Sequence, residues 1–166
     1  MRLLTLVRHA KSSWAYDALS DFERPLNDRG RRDAPMMAER ALTLFGKPQR
    51  LISSSALRAI TTAQLFAHGL GLDPHEIVLR PRIYEASPAT LLDLIQSFDD
   101  GDAHVMLFGH NPGLSQFAHQ LARCDFDGLP TCGIAHLALD LSHWREASTA
   151  CGTLLRFTYP KEKQAG

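Results

Sequence analysis

The chain has 166 residues, of which 45% are hydrophobic and 22% are charged, which is the usual composition of a globular domain with one sizeable core. Its 18 Lys and Arg residues balance 18 Asp and Glu residues, so the formal net charge is zero. Because no long run of like charges occurs, we expect no nucleic-acid partner. We also expect no membrane partner, since no stretch approaches the roughly 20 apolar residues of a membrane span.

The N-terminal apolar run is too short for a secretory signal. Cys124, Cys132 and Cys151 are odd in number and lack C-x-x-C spacing, which indicates unpaired thiols in a reducing compartment. We therefore expect a cytoplasmic protein with a single domain over residues 1–166, whose polar tail is frayed from about Lys161. No pattern in the sequence indicates an oligomeric state.

Apolar runs predict strands that alternate with helices along the chain. The first strand is apolar almost throughout, as expected for a central strand covered on both faces. The last two strands alternate, and we expect them to pair antiparallel at the sheet edge. The predicted strands are Leu3–Arg8, Leu51–Ile52, Ile77–Leu79, His104–Phe108, Ile134–Leu141 and Thr153–Tyr159. This order predicts an α/β fold with three layers, α/β/α, around a mostly parallel central sheet.

Helical spacing of apolar residues predicts the helices between these strands. The first begins after Asn27, a good N-cap, and ends at Gly46. Pro35 lies inside this pattern, so it either kinks the helix or marks a later start near Asp33. The other helices follow Ser55, run over Pro88–Phe98, and run over Leu114–Arg123. Residues 10–25 form a loop that crosses the predicted site.

Cationic or imidazole side chains follow three of the predicted strands. Arg8 and His9 end the first strand, Arg58 follows the second, and His110 follows the fourth. If these strands are parallel neighbours, two arginines and two histidines meet at one edge of the sheet, where α/β proteins usually bind ligands. This set suits a phosphoryl group, because guanidinium groups match its oxygens. A neutral imidazole is a competent nucleophile toward phosphorus.

Several ordered motifs resemble the histidine phosphatase superfamily, whose fold is phosphoglycerate-mutase-like. Within that superfamily the chain is most similar to the bacterial SixA-type phosphohistidine phosphatases. The resemblance covers nearly the whole chain. The motifs that carry it are Leu6-Val7-Arg8-His9-Ala10-Lys11-Ser12-Ser13-Trp14, Arg24-Pro25-Leu26 with Gly30, Ser53-Ser54-Ser55-Ala56-Leu57-Arg58-Ala59 with Thr62-Ala63, Tyr84-Glu85-Ala86, and Gly109-His110-Asn111-Pro112-Gly113.

The resemblance implies a role for each matching position. His9 matches the histidine that accepts the phosphoryl group, while Arg8, Arg58 and His110 match the other members of the phosphate pocket. Glu85 lies where many members carry the proton donor to the leaving group. Glu85 could instead be an ordinary surface carboxylate. Ser12 is a candidate phosphate contact, although its hydroxyl could equally hold the loop.

Two departures from the mutase-type pattern bear on the substrate. Ala10 and Lys11 replace the Gly-Glu pair of those enzymes, and Ala15 replaces their asparagine, which contacts phosphate. The chain also lacks the long insertions that cap the site of members with small substrates. An open site could admit a side chain of another protein, which fits a phosphohistidine substrate.

We therefore predict a metal-independent phosphatase that works through a phosphohistidine at His9, with no cofactor and no metal site. The first candidate substrate is a protein phosphohistidine. The alternatives are a broad phosphomonoesterase acting on small phosphate esters, and a phosphate- or phosphoprotein-binding module with little turnover.

Overall fold

In the computed structural model, which describes residues 1–163, six strands and four α-helices alternate along the chain. The strands are β1 (Arg2–Arg8), β2 (Arg50–Ser53), β3 (Val78–Leu79), β4 (His104–Gly109), β5 (Ile134–Leu139) and β6 (Gly152–Thr158). The helices are α1 (Asp28–Phe45), α2 (Leu57–Leu70), α3 (Pro88–Gln96) and α4 (Gly113–Leu121). Of the predicted frayed tail, residues 164–166 lie outside the described residues.

The six strands form one mixed sheet in the order β3-β2-β4-β1-β5-β6. The first four strands in this order are mutually parallel. β5 then pairs antiparallel with β1, and β6 pairs antiparallel with β5. The predicted mostly parallel sheet and its antiparallel pair at one edge are both confirmed.

Side chains that alternate along the central strands bury both faces of the sheet. In β4, Val105 and Leu107 join one apolar cluster, whereas Met106 and Phe108 join the other. The first cluster contains residues of α3 and α4, and the second contains residues of α1 and α2. Two helices therefore cover each face, and the predicted three-layer α/β/α fold is confirmed.

Helix α1 positions the loop that follows His9. The Asn27 carboxamide oxygen accepts the Gly30 backbone N–H at 2.9 Å, so Asn27 is the predicted N-cap. The Asn27 backbone N–H donates to the Lys11 carbonyl at 3.0 Å, and thereby ties the helix start to the loop. Pro35 lies inside α1, so a start near Asp33 is wrong. Burial of apolar residues on both sides of Pro35 sustains the helix despite the missing N–H.

Four predicted elements are longer than the observed ones, and one of them is β3, which begins at Val78 rather than at Ile77. α3 ends at Gln96, because Ser97 and Phe98 fold into a turn in which their N–H groups donate to the carbonyls of Leu94 and Ile95. α4 ends at Leu121 and β5 ends at Leu139. In α3, α4 and β5, apolar residues continue in the sequence past the last residue of the element, although the regular backbone structure ends there.

Cys124, Cys132 and Cys151 are all unpaired, and Cys132 is buried. None of the helices formed by residues 1–163 combines the length and hydropathy that crossing a bilayer requires.

Candidate active site

The predicted site residues converge because β2, β4 and β1 are parallel neighbours. Arg8 is the last residue of β1 and pairs in register with Gly109, the last residue of β4. His9 and His110 therefore follow adjacent strand ends, and their ring centroids lie 5.2 Å apart. Arg58 is the second residue of α2, the helix that follows β2. The convergence predicted from the sequence is thus present in the fold.

His9 is buried, and one of its ring nitrogens is held by the backbone. Nδ1 lies 2.8 Å from the Ala10 carbonyl, which can only accept, so Nδ1 carries the proton and donates. Nε2 then has a free lone pair. Burial is the main reason that the pKa of His9 falls to about 3, and the nearby His110, Arg58 and Arg8 lower it further. The ring is therefore neutral near pH 7, as a nucleophile requires.

The two arginines are held by carbonyl and carboxylate oxygens. Arg8 donates from Nη1 to the Leu129 carbonyl at 3.0 Å. Arg58 donates from Nη1 to the backbone carbonyl of Asp21 at 2.5 Å, and from Nη2 to its carboxylate at 3.0 Å. Burial, and then the charge of Arg58, lower the pKa of Arg8. Two guanidinium groups thus share one pocket, which favours an anionic ligand.

His110 contributes a third group to this pocket. Its Nε2 lies 2.8 Å from the Ser54 hydroxyl. Burial, and then the charge of Arg58, lower the pKa of His110 to about 4, so this ring is also neutral near pH 7.

Three buried side-chain atoms of the site have no hydrogen-bond partner. Within residues 1–163, the buried side-chain nitrogens and oxygens that lack a partner are Arg8 Nε, Arg58 Nε and His110 Nδ1. Buried polar atoms are normally paired, because an unpaired one costs about 1–3 kcal/mol. All three belong to residues that line the cleft containing His9. Residues that line the cleft therefore carry three polar atoms whose hydrogen bonds are unmade.

The cleft has a volume of about 610 Å³ and includes every residue predicted for the site. Glu85 is exposed at its edge in a left-handed backbone conformation, with φ of 55°. Its carboxylate has no hydrogen bond or ion pair to any residue of the described chain, so it is free to face a ligand. This placement is compatible with the predicted proton donor, and also with a surface carboxylate.

Ser12 is buried, and its hydroxyl accepts a short hydrogen bond from Arg24 Nη2. Arg24 also donates from Nε to the Ser13 carbonyl at 3.1 Å, and its guanidinium lies 3.3 Å from the centre of the Trp14 ring. These contacts favour the loop-holding alternative for Ser12. Because Ser12 also lines the cleft, a contact with a phosphoryl oxygen stays a prediction.

Sequence reasoning missed two parts of the site. Tyr84 donates its hydroxyl to the Asp21 carboxylate at 2.6 Å, and its ring packs edge-on against His110. Ser54 contacts His110 directly. Both residues lie inside motifs that carry the resemblance, next to Glu85 and shortly before Arg58. That proximity is the signal that could have identified them.

Asp21 ties down the loop that crosses the site. It is the first residue of a 3₁₀ turn, Asp21–Glu23, in that loop. Its carboxylate accepts hydrogen bonds from Arg24, Arg58 and Tyr84, so the tie extends from the loop into the site. The Tyr84 hydrogen bond is the main cause that lowers the pKa of Asp21, and the two arginines lower it further.

The grouping of titratable side chains in residues 1–163 bears on metal binding. Among residues 1–163, no three His, Cys, Asp or Glu side chains are grouped as the ligands of a metal ion would be.

Comparisons with known proteins identify relatives across the whole chain. The profile of the histidine phosphatase superfamily (branch 1) matches residues 4–94. An uncharacterized protein of Mycobacterium tuberculosis is 30% identical over 165 residues, covering 93% of this chain and 100% of the relative. An uncharacterized chloroplastic protein of Arabidopsis thaliana is 31% identical over 159 residues, covering 91% of this chain and 72% of the relative.

Solved structures extend this likeness to the fold. The SixA protein of Agrobacterium tumefaciens is 30% identical and superposes with a TM-score of 0.79, covering 96% of this chain and 98% of that one. A protein histidine phosphatase SixA complexed with tungstate shares the fold with a TM-score of 0.80 at 22% identity, over 95% of this chain and 97% of its own. The likeness supports a phosphatase activity. The chain belongs to the histidine phosphatase superfamily and is SixA-like.

Proposed function

We propose that the protein is a phosphatase that works through a phosphohistidine intermediate at His9 Nε2. One observation carries this proposal: the hydrogen bond from His9 Nδ1 to the Ala10 carbonyl leaves Nε2 unprotonated, in a cleft lined by three residues that each carry an unpartnered buried nitrogen. A nucleophile and candidate donors to the oxygens of a phosphoryl group thus occupy one site. We propose Arg8, Arg58 and His110 as the residues that bind the phosphoryl group.

The reaction has two displacements at phosphorus. In the first, the Nε2 lone pair forms a bond to phosphorus while the bond to the leaving group breaks, and the leaving group takes a proton. In the second, water attacks phosphorus, the bond from Nε2 breaks, and inorganic phosphate leaves with His9 restored. Arg8, Arg58 and His110 stabilise the charge on the equatorial oxygens in both steps.

Glu85 is the proposed proton donor to the leaving group. Its free carboxylate at the cleft edge supports this role. The leaving group of a phosphate ester is an alkoxide, so cleavage of an ester depends strongly on such a donor. The leaving group of a phosphohistidine is an imidazole, so its cleavage depends less on a proton donor. We propose that no metal ion takes part, because the cationic side chains that line the cleft, among them Arg8 and Arg58, supply positive charge.

Protein phosphohistidine is the proposed substrate. The resemblance to SixA-type proteins and the openness of the cleft support this class. Trp14, which also lines the cleft, is 73% exposed, so the rim can contact a partner larger than a small ester.

His9→Ala tests the mechanism. We expect it to abolish turnover without added metal, on both a phosphohistidine-bearing protein and p-nitrophenyl phosphate, and to prevent formation of an acid-labile phosphoenzyme. His68→Ala is a matched control, since His68 is an exposed histidine of α2, and it should keep full activity. An active His9→Ala variant would contradict the mechanism.

The same assay tests the substrate class. We expect the wild-type protein to have a higher kcat/KM for the phosphohistidine than for p-nitrophenyl phosphate, sugar phosphates or nucleotides. A preference for a small ester would retain the mechanism and reject the substrate. No turnover on any of them, together with phosphate binding, would favour the binding-module alternative.

A further inference from the structure

Ser54 lies one residue beyond the end of β2, and His110 lies one residue beyond the end of β4. These strands are parallel neighbours, with Ser53 in register with Phe108. The register places the Ser54 hydroxyl oxygen 2.8 Å from His110 Nε2. Ser54 is completely buried, so its hydroxyl proton must find an acceptor within the protein.

The hydrogen bonds of Ser54 determine where that proton goes. The hydroxyl oxygen has two partners, the Ala56 backbone N–H at 3.2 Å and His110 Nε2. The Ala56 N–H can only donate, so the hydroxyl proton can only go to Nε2. His110 Nε2 is therefore the acceptor, and the ring proton of the neutral His110 lies on Nδ1.

We propose that Ser54 is a positioning residue that fixes His110 in the tautomer whose Nδ1–H donates to a phosphoryl oxygen. Nδ1 is the buried atom of this ring that has no partner, and His110 lines the cleft. Without Ser54, the proton could move to Nε2, and Nδ1 would present a lone pair to the oxygens of the substrate. The inference rests on the proposed function, because it gives His110 its role toward the phosphoryl group.

The two histidines then share one tautomer but use it in opposite ways. His9 directs its Nδ1–H to the Ala10 carbonyl and keeps Nε2 as the nucleophile. His110 accepts at Nε2 and keeps Nδ1–H as the donor. Each ring is oriented by one fixed partner, a backbone carbonyl for His9 and a buried hydroxyl for His110.

The first measurement is the tautomer of His110 by long-range proton–nitrogen NMR on the full chain at pH 7.5, with the signal assigned from a His110→Asn variant. We expect a protonated Nδ1 and an unprotonated Nε2 in the wild-type protein. In Ser54→Ala we expect a mixture of tautomers or a protonated Nε2. Ser54→Thr keeps the hydroxyl and should restore the wild-type tautomer.

The second measurement is inorganic phosphate binding by calorimetry, together with kcat and KM. We expect Ser54→Ala to weaken phosphate binding on the order of 10-fold, as for one lost hydrogen bond, and to lower kcat/KM by a similar factor or more. Ser53→Ala is a matched control, because Ser53 is also buried but its hydroxyl donates to the Ser54 carbonyl rather than to His110. It should lose stability without a change in the tautomer.

A protonated Nε2 in the wild-type protein, or a His110 tautomer unchanged by Ser54→Ala, would overturn the inference. Neither result depends on turnover. An active His9→Ala variant would reject the proposed function and leave the tautomer measurement intact, so the two failures are distinguishable.

Discussion

Asp21 shows at the residue scale how one carboxylate organises the cleft. It accepts hydrogen bonds from Tyr84, Arg58 and Arg24, which come from three separate segments of the chain. The hydrogen bond from Tyr84 to Asp21 raises the pKa of the tyrosine to about 12, because the neutral hydroxyl donates to an anion. Asp21 therefore couples the loop after His9 to the motif that contains Glu85.

Replacing Asp21 with Asn should lower the pKa of Tyr84 toward the ordinary value of about 10, because the negative acceptor is lost. The tyrosinate absorbance in an alkaline titration measures this change, and Tyr84→Phe identifies the tyrosine responsible. We expect kcat/KM to fall by less than about 10-fold, since the Asp21 side chain is 46% exposed and ion pairs in water are weak.

Glu23→Gln is the control for this prediction. Glu23 lies in the same 3₁₀ turn and its carboxylate accepts a hydrogen bond from Ser20, away from Tyr84. It should leave the tyrosine titration unchanged. An unaltered high tyrosine pKa in Asp21→Asn would contradict the coupling.

At the scale of elements, the site depends on how closely the backbone at the start of α4 approaches the segment that contains Ala86. A Cβ atom at Gly113 would lie 2.0 Å from the Ala86 carbonyl oxygen. Only glycine therefore allows the helix to pack against the segment that carries Tyr84 and Glu85. That packing places Glu85 at the cleft that His110 also lines.

Gly113→Ala should therefore push residues 84–86 away from α4. We expect a loss of roughly 1–3 kcal/mol in the free energy of unfolding, measured by urea denaturation, because a backbone atom must move. Gly128→Ala is a matched control, since its Cβ would meet only the Ser115 hydroxyl oxygen at 3.6 Å. A Gly113→Ala variant as stable as Gly128→Ala would show that the approach is not tight.

Buried histidines set the pH dependence at the scale of the whole molecule. Thr5 lies between His104 and His136, with its hydroxyl oxygen 2.7 Å from a ring nitrogen of each. Burial lowers the pKa of both histidines to about 4, and the charge of His136 also lowers that of His104. His9 and His110 are buried and neutral as well. In mildly acidic solution these histidines therefore bind fewer protons in the folded chain than in the unfolded chain.

The free energy of unfolding depends on pH because of this difference in proton binding. The unfolded chain binds these protons as the pH falls below about 6.5, while the folded chain does not bind them until about pH 4 or lower. The free energy of unfolding should therefore fall as the pH drops from about 6.5 to about 4. We propose that residues 1–166 unfold as a single domain, so urea denaturation across this range measures the slope directly.

His136→Gln tests the contribution of one buried histidine, because glutamine can hydrogen-bond Thr5 but does not titrate. The slope between pH 6.5 and 4.5 should decrease by up to about 1.4 kcal/mol per pH unit, the value for one proton. The decrease in slope is expected even if His136→Gln lowers the free energy of unfolding at every pH. An unchanged slope in His136→Gln would contradict the assignment.

Local patterns in the sequence were sufficient to predict the strands and helices, and to predict that the candidate site residues follow strand ends. Arg8, His9 and His110 directly follow apolar runs, and side chains at parallel strand ends meet at one sheet edge. The Asn27 cap was likewise readable, because capping depends on residues within one turn. The α/β class, the helix positions and the four proposed phosphate-site residues therefore followed from short-range order and from motif resemblance.

Tertiary structure decided which polar atoms are paired. Three serines follow one another at residues 53–55, and only the register of β2 against β4 selects Ser54 as the partner of His110. The hydrogen bonds from Arg58 and Tyr84 to Asp21 join residues 37 and 63 positions apart. Strand order, register and loop path set such contacts, and these depend on how the whole chain packs rather than on any local pattern.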